Sequence, residues 1–422
     1  MKFNRKLIAT GAVLLTAAIL SGCATTNVPG EKEKVELSML VFTTPNLSKD
    51  FWNSQVATAS SSDPNVSVKL LYSPDPDRIA YTKQLFATNQ APDISWDVVP
   101  ELVQAGDLVP YPKSAFSDFI TLPGSVGGKY YGVPAGSQVV PLVYYNPTLF
   151  KAAGIESVPT TWDEFVAAAE KLKASGVTPI LLGGASDTWT SGILLDGILS
   201  IDLLGQDKDW VAKLQAGDAA WTDDNVVASI SKWKKLVDDG LTNSDALSLT
   251  YTQMQEKFLA GKVGMYPMGS WAAAIKSPNF DLKVFALPGK SGASVAPIVI
   301  GNSQAVAKSS KHPKAAQDLS IKLATNQSFV EAWLKNDALF PTVKGFKVPA
   351  DTPQIVKDSF AIYQGAAKQV FALNWGNSGD STLPSAFTAE YYKIVQRMIL
   401  NQITPKTAGE QMQAAWVAST AR

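Results

Sequence analysis

Apolar positions along the chain follow two periods. Short runs rich in β-branched and aromatic residues, bounded by Gly, Pro, Asn or Asp, predict buried strands. They fall at Val35–Phe42, Val66–Leu71, Asp93–Val99, Val177–Leu182, Val263–Tyr266, Val284–Leu287 and Pro297–Ile300. Between them, apolar residues three and four apart predict helices at Phe51–Ala59, Arg78–Asn89, Pro100–Gly106, Thr250–Ala260, Lys314–Thr325 and Gln327–Lys335. Further helices are predicted at Pro353–Val370, Ser385–Leu400 and Lys406–Ser419. Thr161-Trp162-Asp163-Glu164 is a capping box that starts a helix burying Phe165, Val166, Ala169 and Leu172, and Gly176 stops it. Val226, Val227, Ile230, Trp233 and Val237 mark another amphipathic helix. Ile193–Leu204 lacks a polar face and reads as buried. Strands alternating with helices predict an α/β class with mainly parallel sheets flanked by helices.

The chain is organised around Tyr130–Gly154. There a Gly-Val-Pro turn precedes an apolar run, Val139–Tyr145, which Asn146-Pro147 ends. One α/β region lies before it and another after it, so the run reads as the first hinge strand between two lobes. A second crossing is expected at Gly301–Asn302 and a third at Pro341–Ala350. A length of 422 residues agrees with two domains. The expected N-terminal lobe is 35–141 with 302–345, and the C-terminal lobe is 142–301 with 346–422, including the C-terminal helices.

Residues 1–22 read as a signal peptide: Lys2, Arg5 and Lys6 precede an apolar run, Leu7–Leu20, too short for a comfortable membrane span. Leu20-Ser21-Gly22-Cys23 matches the lipobox of bacterial lipoproteins, and Cys23 is the only Cys in the chain. Cys23 is therefore the expected lipidation site, and 23–34 the tether of a lipid-anchored protein.

Charge and composition narrow the chemistry. The 37 basic and 37 acidic residues cancel, and no charge block points to nucleic acid. One Cys and one His exclude a disulfide framework and a Cys/His zinc site. No metal and no cofactor are expected. His312, in a polar loop, reads as a solvated residue rather than a base. Asp75 and Asp77 lack an EF-hand pattern and read as a turn. Pro288-Gly289-Lys290-Ser291 lacks the first Gly of a P-loop, and Gly376-Asn377-Ser378-Gly379 lacks the spacing of a nucleophile elbow.

The eleven Trp residues divide by context. Trp52, Trp162, Trp233, Trp333 and Trp416 lie in helical runs, and Trp210 and Trp221 in Asp-rich connections; all seven are expected to be structural. Trp96, Trp189, Trp271 and Trp375 sit at strand ends or in Gly/Ser/Asn-rich loops, with Asp97, Asp187, Ser270, Asn374 and Asn377 beside them. A pyranose has an apolar C–H face, which a flat indole removes from water. Its hydroxyl rim needs side chains that donate and accept. Thr44, Asn46, Gln138 and Asn302 are further hydrogen-bonding candidates at strand ends and crossings.

Resemblance to a known family enters through GVP, YYN, LFKAAGI and VPTTWDEFVAAAEKLK in order. PDISWDVVPELVQAGDLVPY lies upstream, and GKVGMYPMGSW and IGNSQAVAKSSKHPKAAQDLSIKLAT lie downstream. Together these blocks resemble the sugar-binding, maltodextrin-binding-like extracellular solute-binding proteins of ABC importers. The resemblance implies a two-lobed periplasmic-binding-protein-like fold whose cleft closes on its ligand about the crossing hinge segments. It implies a non-enzymatic, monomeric lipoprotein on the extracellular face of the cytoplasmic membrane. Such a protein would capture a di- or small oligosaccharide and deliver it to the permease's transmembrane subunits. Two alternatives remain at this point. A surface glycoside hydrolase would use a facing carboxylate pair such as Asp97 and Asp187. A binding protein for a charged small solute such as a polyamine would need clustered acids.

Overall fold

The structure is a computed structural model that describes residues 34–420, apart from 62, 75–77, 291, 293 and 376–378, and excluding the side chain of Asn302. The expected signal peptide, the anchor at Cys23, the tether to residue 33, Asp75, Asp77, Asn377 and the Asn302 side chain therefore lie outside the described residues.

Twelve strands follow one another among the described residues. They are β1 (Val35–Val41), β2 (Val66–Tyr72), β3 (Ile94–Asp97), β4 (Ser125–Val126), β5 (Lys129–Tyr130), β6 (Val133–Val139), β7 (Leu142–Tyr145), β8 (Thr178–Ile180), β9 (Val263–Met268), β10 (Lys283–Ala286), β11 (Val295–Val306) and β12 (Lys368–Phe371). The larger sheet has the order β12-β11-β3-β1-β2, with β6 also on β11. The smaller has the order β10-β7-β9-β8, and β4 and β5 form a separate hairpin.

The α/β class holds, but parallel pairing does not dominate. β1–β2, β1–β3, β8–β9 and β11–β12 are parallel. β3–β11, β6–β11, β7–β9 and β7–β10 are antiparallel. Parallel neighbours need a crossover connection. β6 and β7, which carry the chain from one sheet to the other, instead run against their neighbours.

The expected single hinge strand Val139–Tyr145 is two strands in two sheets. β6 pairs Val139 with Ile298 of β11, while β7 pairs Leu142 with Met268 and Ala286. Pro141 has no N–H to give a ladder, so the chain leaves one sheet at Val140 and enters the other at Leu142. The expected crossing at Gly301–Asn302 falls inside β11, where the register shifts between Ile300 and Asn302. The expected helix Pro353–Val370 ends at Gly365, and β12 follows. Residues 295–301 and 368–371 thus belong to the larger sheet rather than to the sheet of the expected C-terminal lobe.

Each sheet carries its own core. Leu37, Met39, Trp52, Ile94, Leu323 and Trp333 pack around the larger one, and Val143, Phe165, Ile180, Met265 and Phe285 around the smaller. A third cluster draws on both, with Tyr144, Tyr266, Ile298, Phe340 and Val356. The capping box is formed: Thr161 Oγ1 accepts from Glu164 N at 3.3 Å, and Glu164 Oε2 accepts from Thr161 N at 3.1 Å. It starts the helix Trp162–Ala174.

The apolar helix runs Trp189–Leu199, with every residue after Trp189 buried. It lies directly against the crossing: a Cβ on Gly197 would stand 2.4 Å from Pro141 Cδ. Gly197→Ala is therefore expected to destabilise the protein by about 1–3 kcal/mol, the usual cost of overpacking, despite alanine's better helix propensity. A urea midpoint equal to wild type would show that the helix and the crossing do not touch as described.

Candidate ligand-binding site

Three tryptophans from separate parts of the chain meet here. Trp189 opens its helix after the loop that follows β8, Trp271 lies in the helical turn Ser270–Ala274 after β9, and Trp375 follows β12. Ring centroids of Trp189 and Trp375 are 5.5 Å apart with planes at 79°, and those of Trp189 and Trp271 are 6.1 Å apart at 75°. Trp271 and Trp375 close the triangle at 5.4 Å, and Tyr251 lies 5.3 Å from Trp189. All three indoles remain partly exposed, unlike the structural Trp233. Gly269 makes this possible for Trp271, because a Cβ there would stand 2.0 Å from the indole's Cζ3.

Polar side chains border the aromatic group. Asn46 Nδ2 donates to the Trp271 carbonyl oxygen at 3.0 Å and to Asp337 Oδ1 at 3.0 Å. Gln138 Nε2 donates to the Asp337 carbonyl oxygen at 3.0 Å. Asn46 follows β1 and Gln138 lies in β6, both strands of the larger sheet; Asp337 ends the helix Gln327–Asp337; Trp271 follows a strand of the smaller sheet. One amide thus ties the Trp271 backbone to a carboxylate. Burial pushes the Asp337 carboxyl up to about 7, against the opposing pull of Asn46 and Gln138.

Beneath the rings, Asp196 is fully buried in the helix Trp189–Leu199. Its Oδ2 accepts from Trp375 Nε1 at 3.2 Å and from the Tyr392 hydroxyl at 3.1 Å. Its Oδ1 accepts from Asn374 Nδ2 at 3.0 Å. Burial raises this carboxyl to about 7 although its donors pull the other way.

Residues 47–328 match the family model of the bacterial extracellular solute-binding proteins. The chain belongs to this family. The family serves ABC transporters by binding solutes and is not enzymatic, which sets the glycoside hydrolase alternative aside. A multiple sugar-binding protein of Streptococcus mutans is 26% identical over 84% of this chain and 86% of its own. A probable sugar-binding periplasmic protein of Rhizobium meliloti is 25% identical over 68% of each chain. Among solved structures, a chitin oligosaccharide binding protein has a TM-score of 0.79 at 26% identity, covering 92% of this chain and 100% of that one. A raffinose-bound protein, RafE, has a TM-score of 0.74 at 20% identity over 92% and 100%, a likeness of fold. The expected two-lobed fold is therefore the fold of this solute-binding protein.

Within this fold, the expected site residues divide. Trp189, Trp271, Trp375, Asn46 and Gln138 come together as described. Trp96 does not join them. It stacks on Trp333 at 4.7 Å and 22°, within a nest that includes Trp52 and Phe42. Asp97 is buried and ion-paired to Arg78 Nε at 2.9 Å, with the Arg78 guanidinium 4.0 Å from the Phe42 ring centroid. Asp187 holds local backbone: its Oδ2 accepts from Tyr251 N and Ser186 Oγ, both at 3.0 Å. Thr44 Oγ1 accepts from Asn46 N at 3.2 Å and Leu47 N at 3.1 Å, shaping the turn that presents Asn46. Asn302 places its backbone opposite Pro134 in the β6–β11 ladder.

Sequence reasoning missed Asp337 and Asp196. Asp337 ends an amphipathic helix, where an acid reads as solvated surface. Asp196 did leave a signal, as the only charged residue in an otherwise apolar helix. A buried acid there requires partners. Among the described residues, no group of three or more His, Cys, Asp or Glu could hold a metal ion, and no helix is long and apolar enough to cross a membrane.

Proposed function

We propose that this solute-binding protein captures a di- or small oligosaccharide and delivers it to an ABC permease. The observation that carries the reading is the group of three partly exposed indoles bordered by Asn46, Gln138 and Asp337. Indole faces suit the apolar faces of adjacent sugar rings, and the amides and carboxylate suit their hydroxyl rims. The names of the relatives support the same class. Two lobes built on the two sheets would close on the ligand about the Val140–Pro141 crossing, a motion known for periplasmic binding proteins in general. Asn46 and Asp337 would exchange their mutual hydrogen bond for sugar hydroxyls. Lipidation at Cys23 would hold a monomer at the extracellular face of the membrane, within reach of the permease.

A polyamine fits this site poorly. It needs clustered fixed negative charge, whereas Asp337 is a single carboxyl that burial keeps partly neutral near pH 7. A thermal-shift panel separates the two: maltotriose, raffinose, xylotriose and chitotriose against spermidine. At a hundredfold excess over Kd, the cognate sugar should stabilise the protein by about 2.7 kcal/mol. Stabilisation by spermidine with no response to any sugar would overturn the proposal.

A further inference from the structure

The helix Trp189–Leu199 contributes to the aromatic group twice. Trp189 at its start is one of the three rings. Asp196, its only charged residue, lies seven positions later, two turns on and close to the same face. That carboxylate holds a second ring by its indole N–H, at 3.2 Å. The backbone leading to the ring is tied to the same helix. Leu373 N donates to Ser200 Oγ at 2.9 Å, and Ser200 Oγ donates to the Asp196 carbonyl oxygen at 2.6 Å. Asn374, between Leu373 and Trp375, takes a left-handed φ of 64° and gives its side-chain amide N–H to Asp196 Oδ1 at 3.0 Å. Tyr392, from the helix Ser385–Ile399, completes the set from the other side. Three donors from two segments therefore converge on one buried acid, and one of them is the ring itself.

We infer that Asp196 is a positioning residue of the ligand site: it fixes the indole plane of Trp375 against Trp189 and thereby sets the affinity for a sugar ring. The inference rests on the reading of the tryptophans as the sugar platform. A merely structural acid would tie the segments together with no consequence for binding in the folded protein.

Two substitutions separate these roles. Asp196→Leu keeps the branching and heavy-atom count and removes both acceptors, freeing the indole N–H. Asp196→Asn is the rescue variant. Its carbonyl can serve Trp375 and Tyr392, and its NH2 can donate to Asn374 Oδ1, which has no partner among the described residues. Calorimetric titration with the same four trisaccharides reads affinity in the full chain. Near-UV circular dichroism of the ligand-free proteins reads the packing of the indole group. Asp196→Leu should weaken binding about tenfold or more. It should also change the tryptophan bands as Trp375→Phe does, and Asp196→Asn should restore both. If Asp196→Leu does not fold, Asp196→Ser, which leaves room for water, takes its place with the same readouts. A folded Asp196→Leu or Asp196→Ser variant with wild-type affinity overturns the inference, whatever its spectrum. If Trp375→Ala also binds as wild type, or if none of the sugars binds wild type, the platform reading falls with it. If Trp375→Ala loses affinity and the Asp196 variants do not, only the positioning role falls.

Discussion

Trp189→Ala and Trp271→Ala should each weaken sugar binding about 10–100-fold while costing the free protein less stability than truncation of a fully buried tryptophan. Stacking one sugar face on one indole buries about 60–80 Å² of apolar area, worth roughly 2 kcal/mol. Each 1.4 kcal/mol, roughly, is tenfold in affinity. Both rings are partly exposed; they touch each other and Trp375, Trp189 also touches Tyr251, and both pack at the edge of the apolar core. An aromatic pair is worth about 0.5–1.5 kcal/mol beyond its buried area, and the partly exposed rings have less area to lose than a core tryptophan. Trp233 is the contrast. It lies fully buried in the helix Asp224–Asp238, and its truncation should cost about 3–5 kcal/mol of stability while leaving affinity intact in the molecules that fold. Calorimetric titration and thermal melts of the three variants give both quantities. The assignment fails if the Trp189 and Trp271 variants melt as early as Trp233→Ala and still bind normally.

What the chain made legible was set by local pattern. Trp189 and Trp271 could be placed because each follows a strand-to-loop boundary visible in nearby residues, and the capping box at Thr161 is equally local. Trp96 follows the same pattern and yet packs on Trp333, which is remote in sequence; no local signal carries that contact. The same limit hid the pairing of Asp97 with Arg78. Strand direction was misjudged for a related reason. Alternating strands and helices suggest parallel sheets, but β7 runs antiparallel to both of its neighbours and β11 to two of its three. Val139–Tyr145 reads as one apolar run, and only the missing N–H of Pro141 marks where it divides between sheets. Asp337 could not be read from sequence, because its meaning comes from Asn46 and Gln138, each about two hundred residues or more away.

Between pH 4 and 7 the stability of the free protein should fall as pH rises, and Asp196 and Asp337 should account for the fall in comparable shares. Burial raises this carboxyl from an ordinary value of 3.8 to about 7 in the folded state. In that interval the folded chain holds a proton that the unfolded chain has released. Raising the pH therefore favours unfolding, by about 1.4 kcal/mol per unit, until the folded group ionises too. From pH 5 to pH 8 the loss from this one group is on the order of 3 kcal/mol. The groups that face Asp196 are Asn374, Trp375, Tyr391 and Tyr392, and none brings a positive charge to offset ionisation. Asp337 is raised to about 7 in the same way, so it adds a comparable fall over the same interval. Asp93 and Glu101 act the other way. Burial raises each, but hydrogen bonds from Ser310 and Ser38, and from Ser385, outweigh it and leave both lowered. Their contribution is present above their ordinary values and is lost only as pH falls below about 4.5, outside the range from pH 5 to pH 8. Urea unfolding at pH 5 and pH 8 gives the difference directly. Asp196→Asn should remove about half of it, leaving a protein more stable than wild type at pH 8. A wild-type stability that is flat or rising from pH 5 to 8, or an Asp196→Asn variant with an undiminished slope, would show that Asp196 ionises normally in the folded chain.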